Sequence, residues 1–130
     1  MRVLLRSGLF ILYLCFHSGA IAQHTKQVEL GVGVICDTAE QMQRYLTLFK
    51  DDTSPQVAIQ TINSETPGQG ACGMAAVAFF AGNHIGAIEV SGGIMRIMQI
   101  TVVAMKTPSG WLSVTPTQQY TAFFEKAEEA

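Results

Sequence analysis

The chain has 130 residues, of which 48% are hydrophobic and 14% are charged, and its formal net charge at neutral pH is −2. High apolar content with little charge is typical of a globular domain and excludes an intrinsically disordered chain. No basic stripe and no polybasic amphipathic stretch is present. The composition therefore argues against nucleic acid and against a membrane surface as partners.

The first 22 residues have the pattern of a secretory signal peptide. Arg2 and Arg6 supply positive charge, residues 8–16 form an uncharged apolar run, and Ala20-Ile21-Ala22 is a small-x-small cleavage site. The apolar run is shorter than the roughly 20 residues of a spanning helix. We predict a signal peptide over 1–22 and a single exported domain over 23–130, periplasmic or secreted, without stable membrane insertion after cleavage. A retained anchor is the alternative.

Loss of this leader would remove Cys15 and leave Cys36 and Cys72. Two cysteines in an oxidising compartment usually pair, so we predict a Cys36–Cys72 disulfide. Closing such a loop stabilises a fold by roughly 4 kcal/mol in the chain-entropy model. The alternative is a reactive thiol at Cys72, which neither a C-x-x-C spacing nor an adjacent basic residue favours.

The region before Cys72 predicts one strand and two helices. Residues 28–35 alternate imperfectly and carry Gly31 and Gly33, which indicates a strand with a bulge or a close backbone approach. Asp37 or Thr38 can cap a helix that ends near Asp51, with a capping-box partner three residues later. One face of this helix is apolar, namely Met42, Tyr45, Leu46 and Phe49.

A second helix begins with Ser54 as its cap and Pro55 in its first turn, so the two helices form an αα-hairpin. After Cys72 the sequence becomes rich in apolar and β-branched residues separated by turn signals, which predicts an antiparallel meander. The predicted strands are 74–80, 85–90, 94–105 and 111–114, and 120–124 is either a strand or a helical turn. We therefore expect an α+β fold: a short N-terminal strand, the αα-hairpin, and an antiparallel sheet of four or five strands, which could curl into a partial barrel.

Motifs for chemistry are weak. Residues 68–73 match G-x-G-x-x-G, but a helix precedes them and a strand follows, the reverse of a dinucleotide site. His84 has no catalytic partner nearby in sequence, and the cysteines lack the paired spacing of zinc sites. We predict no catalytic residue, metal or cofactor. Trp111, Phe123 and Phe124 are candidate partner-binding residues, with core packing as the alternative.

Cys36-Asp37-Thr38-Ala39-Glu40-Gln41, Ala71-Cys72-Gly73 and Gly110-Trp111 together resemble a family of small exported proteins of Gram-negative bacteria with C-D-T-x-E-Q and A-C-G segments. The resemblance covers most of residues 35–124. It implies a shared fold and a paired-cysteine framework, and it brings no activity, ligand or catalytic residue.

These observations predict a non-catalytic periplasmic or secreted binding or accessory module, with a protein or another envelope component as its partner. The alternative is a thiol-dependent enzyme or redox sensor that uses Cys72. A purely structural envelope protein is the third hypothesis.

Overall fold

The computed structural model describes residues 27–65, 67–68 and 70–127. In this part of the chain, strand β1 (Glu29–Cys36) is followed by helices α1 (Ala39–Lys50) and α2 (Pro55–Glu65). Three long strands complete the fold: β2 (Cys72–Val90), β3 (Gly93–Thr107) and β4 (Gly110–Lys126). The predicted α+β order is confirmed. The predicted leader over 1–22 lies outside the described residues.

The strands form one antiparallel sheet that closes on itself in the order β1-β2-β3-β4. Turns after Val90 and after Thr107 make β2, β3 and β4 a meander, as predicted. β1 pairs with β2 along its whole length. Within the described residues, β1 also meets β4 at two positions, Ile35↔Thr121 and Cys36↔Tyr120. In the part of the chain that the structure describes, the sheet therefore has four strands, with β1 among them, and it forms a closed barrel.

The predicted break between strands 74–80 and 85–90 is wrong, because both halves belong to β2. Gly82-Asn83 forms an irregularity in the pairing with β3, which shifts register between Ala81 and His84. A Cβ atom at Gly82 would lie 2.5 Å from the carbonyl oxygen of Gln99, so only glycine fits this close approach. The turn signal marks a bulge here because both flanking segments pair with the same strand.

The segments predicted at 111–114 and 120–124 likewise join into β4, and the alternative of a helical turn at the second one is wrong. Pro116 lies inside β4 where the register with β3 jumps from Val102↔Thr117 to Ala104↔Ser113. Proline has no N–H to donate and is tolerated at such an irregularity. Pro116 therefore interrupts the pairing without ending the strand.

The helical hairpin begins as the sequence predicts. Gln41 N–H donates to Thr38 Oγ1 at 3.1 Å, and Thr38 N–H donates to Gln41 Oε1 at 3.2 Å, a complete capping box. The two helices are linked on their surface by an ion pair, Arg44 Nη2 to Glu65 Oε2 at 2.8 Å. This bond lowers the pKa of Glu65, chiefly through hydrogen bonding.

Two groups of buried side chains hold the fold together. The first lies between the helices and the outside of the sheet: Cys36, Met42, Tyr45, Leu46, Ala58, Ile62, Cys72 and Ile97. Burial between these layers raises the pKa of Tyr45. The second group is smaller and lies inside the barrel: Val77, Ile100 and Val102. The barrel interior thus has few fully buried residues in the described part of the chain.

Candidate functional site

The predicted disulfide is present. Cys36 and Cys72 face each other in the β1–β2 register, with their Sγ atoms 2.03 Å apart and their Cα atoms 4.0 Å apart. Cys36 is 0% and Cys72 5% exposed. The bridge joins the end of β1 to the start of β2, and the helical hairpin is the loop that it closes.

One side chain of the helical hairpin, Asn63, reinforces this junction. Asn63 in α2 accepts a hydrogen bond from Cys72 N–H at 2.8 Å and donates one to the Cys72 carbonyl oxygen at 3.0 Å. The amide of Asn63 thereby pairs with the strand as another strand's main chain would. α2 is held to the start of β2 by two polar bonds as well as by its apolar face.

Asp37 closes the same end of the barrel. Its carboxylate accepts hydrogen bonds from Ala71 N–H at 2.8 Å and from Gln119 Nε2 at 2.8 Å, and its own N–H donates to the Ala71 carbonyl at 3.0 Å. The side chain connects the β1–α1 junction to the residue that precedes β2 and to β4. These contacts give Asp37 a structural role.

The opposite end of the β1–β4 contact is open, and we call this opening the seam: Leu30–Val34 of β1 facing Ala122–Phe124 of β4. Within the described residues, the register between the two strands stops at Ile35↔Thr121. At the next position the Thr121 hydroxyl donates to the Val34 carbonyl oxygen at 2.9 Å in place of a main-chain bond. The seam begins at this side-chain contact.

Main-chain groups point into the seam from both sides. Because the Val34 carbonyl faces β4, alternation along a strand directs the main-chain groups of Val32 the same way. Directly after β4, Ala127 N–H donates to the Gly92 carbonyl oxygen on the β3 side. Residues an odd number of positions before it, such as Ala122, therefore direct their main-chain groups the other way, toward β1. The seam therefore has a polar backbone edge on each wall.

An apolar cavity of about 410 Å³ lies on the inner side of the seam. Phe79, Met98 and Ile35 border it from three different strands and are half-buried. Gly33 forms part of its wall, and a Cβ atom at Gly33 would meet nothing within 4 Å. Among the described lining residues, Glu29 has the one ionisable side chain.

A second cavity of about 300 Å³ lies on the outer side, between the seam and α1. It shares Val32, Gly33 and Ala122 with the inner cavity, and Met42 and Met74 contribute to its walls. The two cavities are therefore the two sides of one opening between β1 and β4.

The predicted partner-binding aromatics occupy separate places. Trp111 is 47% exposed beside the β3–β4 turn, where Lys106 Nζ lies 5.9 Å from its ring centroid. Phe123 borders the inner cavity and packs edge-on against His84, with ring centroids 5.5 Å apart. Phe124 is 51% exposed and borders a surface hollow beside the end of α1. A role for these side chains in partner binding stays a prediction, and the structure does not bring Trp111 and Phe123 to one surface.

Within residues 27–65, 67–68 and 70–127, no group of three or more His, Cys, Asp and Glu side chains could hold a metal ion. Searched over the same residues, the structure has no helix long and apolar enough to cross a membrane.

The cavity is not predicted by the sequence. Its signal is the pair Gly31 and Gly33, but two glycines in a strand predict a bulge or a close backbone approach. Gly31 does make a close approach, because a Cβ there would lie 3.3 Å from the Phe79 ring. Gly33 instead leaves open space, and nothing local in the sequence distinguishes the two glycines.

Comparison of the chain with protein-family models, curated proteins and solved structures found no match. The resemblance to small exported proteins of Gram-negative bacteria stays a prediction.

Proposed function

We propose that this protein is a non-catalytic binding module that works outside the cytoplasm and holds its ligand in the inner cavity of the seam. The observation that carries the proposal is the cavity itself. Its volume of about 410 Å³ is within the range of small-molecule sites, which are concave and mostly apolar.

The packing of the barrel interior supports this proposal. Protein interiors are ordinarily packed as densely as organic crystals. Here Phe79 and Met98 point to the interior yet stay half-buried, because they border the cavity. Apolar side chains at an unfilled, accessible space gain contacts when a ligand enters.

The disulfide supports a site of action outside the cytoplasm. Disulfides persist in oxidising compartments and are rare in the cytosol. We therefore include in the proposal a periplasmic or secreted location. The proposal also includes a binding partner that is a protein or another component of the envelope.

The competing hypothesis, a thiol enzyme or redox sensor using Cys72, has less support. A reactive cysteine is typically a partly exposed thiolate, whereas Cys72 is bonded to Cys36 and 5% exposed. A thiol titration of native protein purified from the periplasm separates the hypotheses. We expect no reactive thiol before unfolding and reduction. Two reactive thiols in the native protein would favour the thiol enzyme. They would also remove the disulfide as support for a site of action outside the cytoplasm.

A thermal-shift screen tests the binding module. The panel contains neutral apolar, cationic apolar, anionic apolar, sugar and extended peptide ligands. Gly33→Leu should fill the cavity, because a Cβ at Gly33 enters open space. Gly73→Leu is the matched control: Gly73 is also in a strand with open space at its Cβ, and it is not among the residues lining the cavity.

We expect at least one class of ligand to raise the melting temperature of the wild type and of Gly73→Leu, but not that of Gly33→Leu. Near-UV circular dichroism of each variant checks that its native packing is retained. If no ligand class gives a shift sensitive to Gly33→Leu, the cavity is not a binding site and the proposal is wrong.

A further inference from the structure

We infer that the inner cavity takes an apolar small molecule whose polar end is neutral or cationic and donates hydrogen bonds, and that it discriminates against anionic amphiphiles such as fatty acids. This inference rests on the proposed function and names the class of ligand for the same site.

The lining determines the body of the ligand. Its walls are mainly aliphatic and aromatic side chains and glycine backbone: Gly31, Val32, Gly33, Ile35, Val77, Phe79, Ala81, Met98, Ile100, Ala122 and Phe123. Such walls offer dispersion contacts and the removal of apolar surface from water. A strongly polar ligand such as a sugar would lose its bonds to water and find few replacements.

The polar side chains of the lining, Glu29 and Thr121, select the polar end of the ligand. Glu29 is exposed and is one of the lining residues, and its carboxylate accepts hydrogen bonds and attracts positive charge. The hydroxyl of Thr121 already donates its proton to the Val34 carbonyl, so toward a ligand it can only accept. Both side-chain groups therefore favour a ligand that donates.

No cation offsets Glu29 among the described lining residues. Arg96 on β3 lies outside the lining and pairs with Glu125, with Nη2 and Oε1 2.9 Å apart. Binding an anionic head group would thus bring two negative charges together without compensation. A single like-charge contact at about 4 Å costs on the order of a fivefold loss of affinity even in water.

A matched pair of fluorescent probes tests this inference. N-phenyl-1-naphthylamine is neutral and carries an N–H donor, and 8-anilino-1-naphthalenesulfonate has the same aromatic body with an added sulfonate. Titrations use the mature, oxidised protein. We expect the neutral probe to bind about fivefold or more tightly than the sulfonate. Glu29→Gln should narrow this difference by strengthening the binding of the sulfonate.

Gly33→Leu should abolish the fluorescence increase of the neutral probe, and Gly73→Leu should retain it. Competition then extends the result to aliphatic ligands. Dodecylammonium, whose cationic head group carries N–H donors, should displace the neutral probe at a lower concentration than dodecanoate does when both are used below their micelle concentrations.

Two outcomes would overturn the inference and leave the proposed function intact. One is that dodecanoate or the sulfonate binds as tightly as its uncharged or cationic counterpart, with binding sensitive to Gly33→Leu. The other is that an extended peptide, pairing with the backbone edges at Val32 and Ala122, gives the Gly33-sensitive shift while the neutral probe gives none. Absence of any Gly33-sensitive ligand would instead remove both proposals.

Discussion

Removing the Cys36–Cys72 disulfide tests the central bond of this fold. The two cysteines are separated by 36 positions, and the closed segment contains both helices. In the chain-entropy model a loop of this size stabilises the native state by about 4 kcal/mol. Small domains have a total stability of about 5–15 kcal/mol, so the bond supplies a large share. Cys36→Ala/Cys72→Ala should therefore lower the free energy of unfolding by about 4 kcal/mol.

The fold should survive this loss. Asn63 still holds the main chain at position 72 by two hydrogen bonds, and the six other side chains of the apolar cluster beneath the helices are unchanged. We expect a native far-UV circular dichroism spectrum in water and a cooperative urea transition at a lower midpoint. The dependence of the unfolding free energy on urea concentration should become steeper, because the unfolded chain without the crosslink exposes more surface.

Urea unfolding followed by circular dichroism measures the difference, with wild-type protein in reducing agent as the control. Reduced wild type and the double alanine variant should have similar free energies of unfolding. A loss below about 1 kcal/mol would refute the reasoning, since it would mean that the bridge constrains the unfolded chain far less than its loop length implies.

Three further changes have expected outcomes. Asn63→Ala removes both bonds to the Cys72 main chain and should cost about 1–3 kcal/mol in urea unfolding, whereas an unchanged midpoint would contradict the strand-like role of this amide. Thr38→Ala removes the helix cap and should cost about 1 kcal/mol, with Thr38→Ser near wild type in the same assay. Because Arg44 lowers the pKa of Glu65, the pair stabilises the fold above the unfolded pKa of a glutamate, and this contribution is lost as pH falls through the lowered folded value. The difference in melting temperature between wild type and Glu65→Gln should therefore be small at neutral pH and vanish in acid; a constant difference would contradict the pairing.

Local chemistry was predictable where the partners are close in sequence. Asp37 and Thr38 each have a capping-box partner three residues later, so helix geometry predicts a helix start at this point, and the structure selects Thr38 with Gln41. The Cys36–Cys72 bond was predictable for another reason: once the leader is assumed to be removed, the sequence leaves one way to pair the cysteines.

Strand boundaries were less predictable, because the same residues serve in turns and in bulges. Ser91-Gly92 turns the chain, while Gly82-Asn83 lies inside a continuous strand. A turn differs from a bulge in the strand that the following segment pairs with. The segments before and after Gly82-Asn83 both pair with β3, and β3 is distant in sequence from these two residues.

By itself the sequence determined the order of elements, the start of α1 and the identity of the paired cysteines, because each depends on neighbouring residues or on simple counting. Closure of the sheet, the seam and its cavity depend on the tertiary structure. They arise because β1 meets β4 near Ile35 and Cys36 and diverges from it toward Gly33. Whether a glycine in β1 borders open space depends on the side chains of the neighbouring strands, and no local sequence pattern predicts how these strands are arranged.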